Sequence, residues 1–229
     1  MCCWICGANL QNGSIKSASV GYPRFGPLRA RPHPHAACLV ALLLLAGSPS
    51  SAADRYKIDP EHSFAMFEYD HWGLSFQRGR FDHTSGFIEV DMEAKTGSIN
   101  IEIDAASIST GVGVFDRLLR SGDFFDTANH PKTVYKSSRL VFDRERLIRV
   151  EGELTIKGIK RPTNLEITHF NCRHMFVYGK YACGANGYAK ILRSDFEMGR
   201  YAPFVSDTVT LLVAVEALKE TDPPVTSGQ

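Results

Sequence analysis

Most of the chain alternates apolar and polar residues with a period of two, and this alternation restricts its fold more than any other feature. Residues 97–104 show the pattern, because Ile99, Ile101 and Ile103 are separated by polar residues. Successive side chains of a β-strand point to opposite faces, so the pattern predicts a strand with one buried face. Comparable segments, separated by glycine or charged turns, recur from residue 56 to residue 216.

The number of these segments predicts an all-β fold. Eight or nine long strands within the 176 residues that follow residue 53 favour a closed antiparallel β-barrel, because closure removes the exposed edge strands of an open sheet. After the break at Trp72 and Gly73, residues 75–82 and 86–91 are expected to pair with each other as a hairpin.

One long segment, residues 107–131, breaks the alternation. Its apolar residues Phe115, Leu118 and Leu119 recur at the three-to-four spacing of a short helix. The segment ends at Pro131, where a new strand begins. Within it, Phe124 and Phe125 place two large rings side by side between carboxylates, and these rings need apolar surroundings. The segment therefore predicts a short helical cap across the barrel.

The first 53 residues resemble an export signal. They contain four basic residues and no acidic residue, and they end in an apolar run too short to span a bilayer, followed by small residues. We expect a signal peptide cleaved after Ala53, extended at its front by an initiation site placed too far upstream. The rival interpretation is a cytoplasmic extension in which Cys2, Cys3 and Cys6 bind a metal. Residues 221–229 are expected to form a disordered tail.

Charge and motif spacing argue against several functions. Removal of residues 1–53 takes four of the 26 basic residues and none of the 25 acidic ones, so the net charge becomes −3 and nucleic acid is an improbable partner. Ser63 follows His62, but it precedes a strand and does not sit on a strained strand-to-helix turn, so we predict no catalytic residue. The histidines show no paired ligand spacing, so we predict no metal site and no cofactor.

Several short motifs of this chain, taken in order and spacing, resemble those of the YceI-like family of periplasmic, lipocalin-like barrels associated with binding polyisoprenoid chains. The motifs are Ile58-Asp59 with His62-Ser63, Gly79–Phe81 with Gly86, Ser107–Gly111, Leu119–Asp126 with His130-Pro131, Gly152–Gly158 with Pro162, and Arg193–Phe196. This chain departs from the family in three places. Leu118, Lys160 and Glu197 stand where the family often has His, Thr and Gly.

The resemblance implies a periplasmic protein that binds or carries a polyisoprenoid or similar long-chain lipid and is not an enzyme. The alternatives are an accessory to a membrane quinone and cytochrome system, with a cytochrome as partner, and a lipid-modifying enzyme. A homodimer is a further expectation. The residues expected to contact the ligand are Ala65, Phe67, Tyr69, Phe81, Leu119, Phe124, Phe125, Leu154 and Phe196.

Two cysteines follow the predicted signal peptide. Cys172 and Cys183 lie at the facing ends of two consecutive predicted strands, in a chain expected to reach an oxidising compartment. We therefore predict a disulfide between them.

The orientation of the strand predicted at residues 64–71 is a separate expectation. We expect the face that carries Phe67 to point inward, and the face that carries Phe64 is the alternative.

Overall fold

Strands occupy most of residues 53–220, the part of the chain that the structure, a computed structural model, describes. The predicted tail and all but the last residue of the predicted signal peptide lie outside the described residues. Within residues 53–220, twelve strands pair antiparallel in one sheet. They are β1 (Asp54–Ile58), β2 (Phe64–His71), β3 (Ser75–Phe81), β4 (Thr84–Asp91), β5 (Thr96–Asp104), β6 (Ile108–Ser109), β7 (Lys132–Asp143), β8 (Arg146–Ile156), β9 (Ile159–Pro162), β10 (Leu165–Met175), β11 (Lys180–Leu192) and β12 (Val205–Lys219).

Eight of these strands form a closed ring. Its order is β1, β4, β5, β7, β8, β10, β11 and β12, and pairing of β1 with β12 closes it. The predicted closed, antiparallel barrel of about eight strands is therefore confirmed. Closure leaves none of these eight strands with an unpaired side along its whole length.

The last strand, β12, changes partner along its length. Its first part pairs with β2, whereas Lys219 and its neighbours pair with β1. Ser63 lies at the junction, fully buried, where its hydroxyl donates to the carbonyl oxygen of Glu216 and accepts from the Glu216 N–H, both at 3.0 Å. The wall therefore passes through β1 at one end of the barrel and through β2, β3 and β6 at the other.

The prediction that residues 75–82 and 86–91 pair as a hairpin is wrong. Instead, β3 pairs with β2 through a tight turn at Trp72 and Gly73, and β4 pairs with β1 and β5. Between β3 and β4 the chain bends at Asp82 and His83 but does not reverse its direction. The Asp82 N–H donates to the Ser107 carbonyl and the His83 N–H to the Ser107 hydroxyl, both at 3.1 Å, and these bonds hold the bend. The chain therefore enters β4 between β1 and β5 instead of folding back onto β3.

The predicted cap contains one α-helix, α1 (Gly113–Arg120), and 3-10 turns form at Ala105–Ser107 and Arg193–Phe196. The side chain of Asp116 holds the beginning of α1, since it accepts from the N–H and the hydroxyl of Thr110, both at 2.7 Å. At the other end, Arg120 donates to two backbone carbonyls near β6. No helix within residues 53–220 has the length and apolarity needed to cross a membrane.

The two ends of the barrel differ. At one end of β12, Val205 pairs with His71 beside the β2–β3 turn, and we call this end the mouth. At the other end, which we call the base, Lys219 pairs with β1. Cys172 lies directly opposite Cys183 near the base, and the two form the predicted disulfide, three residues inward from the ends of β10 and β11.

Candidate functional site

The barrel encloses a cavity of about 660 Å³. This volume lies within the range of roughly 300–1,000 Å³ typical of small-molecule sites. The wall consists mainly of hydrocarbon and aromatic side chains from the ring strands. Near the base, Phe142 and Phe170 border the cavity and meet edge to face, with ring centroids 6.5 Å apart. The interior is thus not filled by the side chains of the barrel itself.

Eight of the nine residues predicted from the sequence to contact a ligand border this cavity. They are Ala65, Phe67, Tyr69, Phe81, Leu119, Phe124, Phe125 and Leu154. They come from three strands of the wall and from the cap, so residues distant in the sequence surround one space.

Phe67 fixes the orientation of β2. Its ring is buried, stacks near Tyr69 and lies directly over Gly79 on the neighbouring strand. A methyl group added to Gly79 would lie only 2.3 Å from the ring, so the glycine makes room for Phe67. Phe64 and Met66, on the alternative face, are half-buried and also border the cavity, and the Phe64 ring lies 5.1 Å from the guanidinium of Arg80. The buried ring of Phe67 thus borders the cavity as expected, but both faces of β2 contribute to the wall.

Phe196 does not border the cavity, in contrast to the sequence prediction. The chain leaves β11 at Leu192, and Arg193–Phe196 form a 3-10 turn in place of further strand. The period-two alternation consequently no longer applies at Phe196. Its side chain is almost completely buried in the surrounding hydrophobic core.

The paired rings of the cap contact two different parts of the molecule. Phe125 meets Phe81 of the wall edge to face, with centroids 5.3 Å apart. Phe124 stacks near Tyr201 in the segment that precedes β12, at 6.4 Å. An ion pair between Arg200 and Asp123 joins the same two segments. The cap is therefore attached both to the barrel wall and to residues 197–204.

The polar groups of the wall mostly bond to the protein itself. The hydroxyl of Tyr135 lies 3.1 Å from the carbonyl oxygens of Val150 and Thr163, and burial raises the pKa of Tyr135 above its usual value. Gly152 makes this arrangement possible, because a Cβ there would lie 2.7 Å from the Tyr135 hydroxyl. Tyr135 can hence stay neutral inside the wall without a ligand.

Arg193, at the mouth, is a buried charged residue with several hydrogen-bond donors to satisfy. Its buried guanidinium donates to the backbone carbonyls of Ser206, Val205, Arg200 and Met198. Burial lowers the pKa of Arg193 from its usual value. Its hydrogen bonds fasten residues 198–206 to the barrel, so few of its donors remain for a ligand.

Thr84 differs from these residues. Thr84 borders the cavity, but its hydroxyl is buried and lacks a hydrogen-bond partner within residues 53–220. An unsatisfied buried hydroxyl costs about 1–3 kcal/mol. Because this hydroxyl has almost no accessible surface, it is not available to a ligand in the cavity as the wall stands.

Sequence reasoning missed part of the wall. Ile99, Ile101 and Ile103 all border the cavity, and the alternation of residues 97–104 contained the signal that could have identified them. Trp72 and Tyr201 also border it. These two lie in a turn and a loop, where no periodic pattern marks the face that a side chain occupies.

The candidate nucleophile and base do not meet. The His62 ring pairs with the Asp59 carboxylate at 2.9 Å, and this hydrogen bond raises the pKa of His62 above its usual value. The hydroxyl of Ser63 bonds to the backbone of Glu216, as described above. Within residues 53–220, no group of three or more His, Cys, Asp or Glu side chains is arranged to hold a metal ion.

Comparisons with known proteins agree with this geometry. A model of the YceI-like domain matches residues 56–217. A UPF0312 protein of Pseudomonas savastanoi is 31% identical over 188 residues, which cover 81% of this chain and 96% of that protein.

Two solved structures share the fold. The YCEI protein of Campylobacter jejuni has a TM-score of 0.57 at 26% identity, covering 66% of this chain and 90% of that one. A polyisoprenoid binding domain from Saccharophagus degradans has a TM-score of 0.56 at 18% identity, covering 72% of this chain and 98% of that one.

Proposed function

We propose, from the premise that this chain belongs to the YceI-like domain family, that it binds one long apolar chain, such as a polyisoprenoid lipid, in its barrel. We further propose that it carries this lipid in the periplasm and does not transform it chemically. The observation that carries the proposal is the cavity of about 660 Å³ with its hydrocarbon wall. The Saccharophagus degradans domain named for polyisoprenoid binding has the same fold, which supports the choice of ligand class.

The physical basis of binding is burial of apolar surface. A buried methylene contributes about 0.8 kcal/mol, so one five-carbon isoprene unit contributes roughly 3–4 kcal/mol. Association itself costs about 4–15 kcal/mol before any affinity appears. One unit alone would therefore bind weakly, whereas several units held inside the barrel can bind tightly without ionic contacts.

Polar contacts are expected to play a small part. Arg193 and Tyr135 already bond to the backbone, and Leu118 borders the cavity from α1 with an apolar side chain. The arrangement favours a ligand chosen by the length of its apolar chain and accepts different head groups.

The experiment is extraction of the purified protein with organic solvent, followed by mass spectrometry of the extract. We expect a stoichiometric, long-chain apolar molecule from the wild type. Ala185→Leu should release much less, because Ala185 borders the cavity between Phe170 and Val215 and the larger side chain occupies the ligand's volume. The double variant Phe124→Ala, Phe125→Ala should lose its lipid by weakening the cap.

Phe176→Ala serves as the matched control. Phe176 is 91% exposed in the turn at the base and does not border the cavity. This variant should retain as much lipid as the wild type. The proposal is wrong if the wild type yields no apolar ligand even after incubation with detergent-dispersed isoprenoids, or if Ala185→Leu retains as much lipid as the control.

A further inference from the structure

Large apolar side chains are exposed to solvent around the mouth of the barrel. Leu74 is 83% exposed and Phe76 is 68% exposed, both at the β2–β3 turn. Further exposed rings come from α1 and from residues 197–204. We call the following set the mouth rim: Trp72, Leu74, Phe76, Phe115, Tyr201 and Phe204.

The backbone holds Trp72 in a conformation that its residue type does not favour. Its φ is 60° and that of Gly73 is 66°, as in the two-residue hairpin turns that favour asparagine and glycine. A bulky residue with positive φ is an outlier. The indole stacks on the Phe204 ring, with centroids 4.8 Å apart, and the backbone N–H of Trp72 donates to the backbone carbonyl of Phe204 at 2.9 Å. Turn chemistry therefore does not explain a tryptophan here.

The mouth rim is continuous with the cavity. Trp72, Phe115 and Tyr201 are exposed to solvent and also border the cavity. Among the described residues, all exposed side chains that border the cavity lie at the mouth, and none lies at the base. The cavity consequently opens where the rim side chains meet water.

In the described part of the chain, the two exposed charged side chains that border the cavity at the mouth, Arg78 and Arg200, form ion pairs within the protein. Arg78 pairs with Glu68 at 2.6 Å, and Arg200 pairs with Asp123. Attraction to a strongly charged partner surface is thus not the main feature of this end. Apolar and aromatic side chains dominate what the mouth presents.

We infer that the mouth rim inserts into the surface of a lipid bilayer, so that the lipid passes between membrane and cavity without crossing water. Aromatic side chains such as Trp and Tyr are favoured at the boundary between hydrocarbon and water, and surface helices dock with apolar side chains in the same way. This inference rests on the proposed function. A bilayer fits better than a protein partner because the rim surrounds an opening to an apolar cavity and does not form a flat, closed patch.

Vesicle co-sedimentation tests the inference. The purified protein is mixed with vesicles of phosphatidylcholine and phosphatidylethanolamine, and the bound fraction is measured at low and high salt. We expect the wild type to bind with little dependence on salt. The variant Leu74→Ser, Phe76→Ser should bind vesicles at least about tenfold more weakly, because it removes two of the most exposed apolar side chains of the rim.

The base offers a matched control. Phe176 and Val177 are 91% and 87% exposed but do not border the cavity. Phe176→Ser, Val177→Ser removes as much exposed apolar surface, so it tests whether any apolar patch suffices. We expect this variant to bind vesicles like the wild type.

The outcomes separate docking from lipid binding, because bound lipid is measured on the same samples by mass spectrometry. Docking at the mouth is overturned if the two double variants bind vesicles equally, or if the base variant alone loses binding. If the wild type retains lipid but does not co-sediment with vesicles, membrane docking is also overturned, and a protein partner at the rim becomes the favoured alternative. Absence of lipid in every sample, with vesicle binding intact, would count against the proposed function instead.

Discussion

At the scale of single residues, Glu197 shows how one backbone conformation leads to a preferred residue. Its φ of 57° and ψ of 33° lie in the left-handed region, immediately after the 3-10 turn Arg193–Phe196. This position costs an L-residue roughly 1–2 kcal/mol, whereas glycine adopts it freely. The glycine that the family often carries at this point therefore has a physical reason, and Glu197 is a strained substitute.

Replacement of Glu197 by glycine should stabilise the protein. We expect Glu197→Gly to raise the free energy of unfolding by up to about 1 kcal/mol, since the relief of strain exceeds the entropic cost of glycine in the unfolded chain. Urea unfolding measures the change. Glu197→Ala is the control, because alanine keeps the strain, and an equal gain from alanine would show that the carboxylate and not the backbone is responsible.

Residue-level prediction from the sequence succeeded where alternation continued and failed where it stopped. Phe67 and Leu154 lie in long strands, so their neighbours determine the face that they occupy. Phe196 lies just beyond a strand end, where the chain turns, and no periodic pattern extends to it. The need for glycine at position 79 could not be predicted locally either, because it arises from the Phe67 ring that packs over it from the neighbouring strand.

At the scale of elements, the disulfide joins β10 and β11 near the base, away from the cap. It closes a loop with a sequence separation of 11 residues. A loop of that size corresponds to a stabilisation of about 2–3 kcal/mol in the chain-entropy description.

We expect Cys172→Ser, Cys183→Ser to lower the free energy of unfolding by about 2–3 kcal/mol without abolishing lipid binding, although Cys183 borders the cavity. Denaturant unfolding and solvent extraction measure the two effects. Thiol labelling of the denatured, unreduced wild type should find neither cysteine free. Loss of lipid at full stability would contradict the assignment of the disulfide to a structural role.

The helix α1 should respond to acid through Asp116. Hydrogen bonds from Thr110 lower the pKa of Asp116 below its usual value, so the stabilisation is present above pH about 3.8 and is lost as the pH falls through the lowered value. Asp116→Asn should thus have a lower urea midpoint than the wild type at pH 6. The difference should shrink towards pH 3, and an undiminished difference at pH 3 would contradict this account.

The sequence predicted most elements but not all of their partners. The strand boundaries and the helical cap follow from local periodicity. The pairing of β3 with β2 depends on the turn at Trp72, a residue that a turn rarely accommodates. It also depends on two hydrogen bonds to Ser107, which is distant in the sequence. Neither cause is visible in a local pattern.

At the scale of the whole molecule, affinity should follow the length of the ligand. We expect each isoprene unit, from two to four units, to strengthen binding by at least about tenfold, because each buries more hydrocarbon in the cavity. Binding of the corresponding alcohols in detergent-free buffer can be followed by quenching of tyrosine and tryptophan fluorescence.

The head group provides the comparison for this series. An alcohol and an acetate of the same chain length should differ in affinity by no more than about fivefold, since one hydrogen bond contributes about 1 kcal/mol at most sites. A stronger dependence on the head group than on chain length would contradict binding by burial alone.

The closed barrel could be predicted from the strand pattern, whereas the cavity inside it was implied only by the family resemblance. Alternation shows which side chains face inward, yet Ile101 and Tyr135 would look the same in a filled core and in a cavity wall. The difference lies in the summed volume of the inward side chains relative to the circumference of the ring. That comparison requires the register of all eight strands.

The change of partner along β12 has a consequence for motion. At the base, β1 bridges β12 and β4 and completes the ring. By contrast, only two residue pairs, at Arg80 and Phe81, join β3 to β6, and among the described residues the part of β3 nearer the mouth pairs with β2 alone. Amide hydrogens of β1 should consequently exchange with deuterium more slowly than those of β6. The barrel can then widen at the end through which a bulky chain passes while its opposite end stays closed.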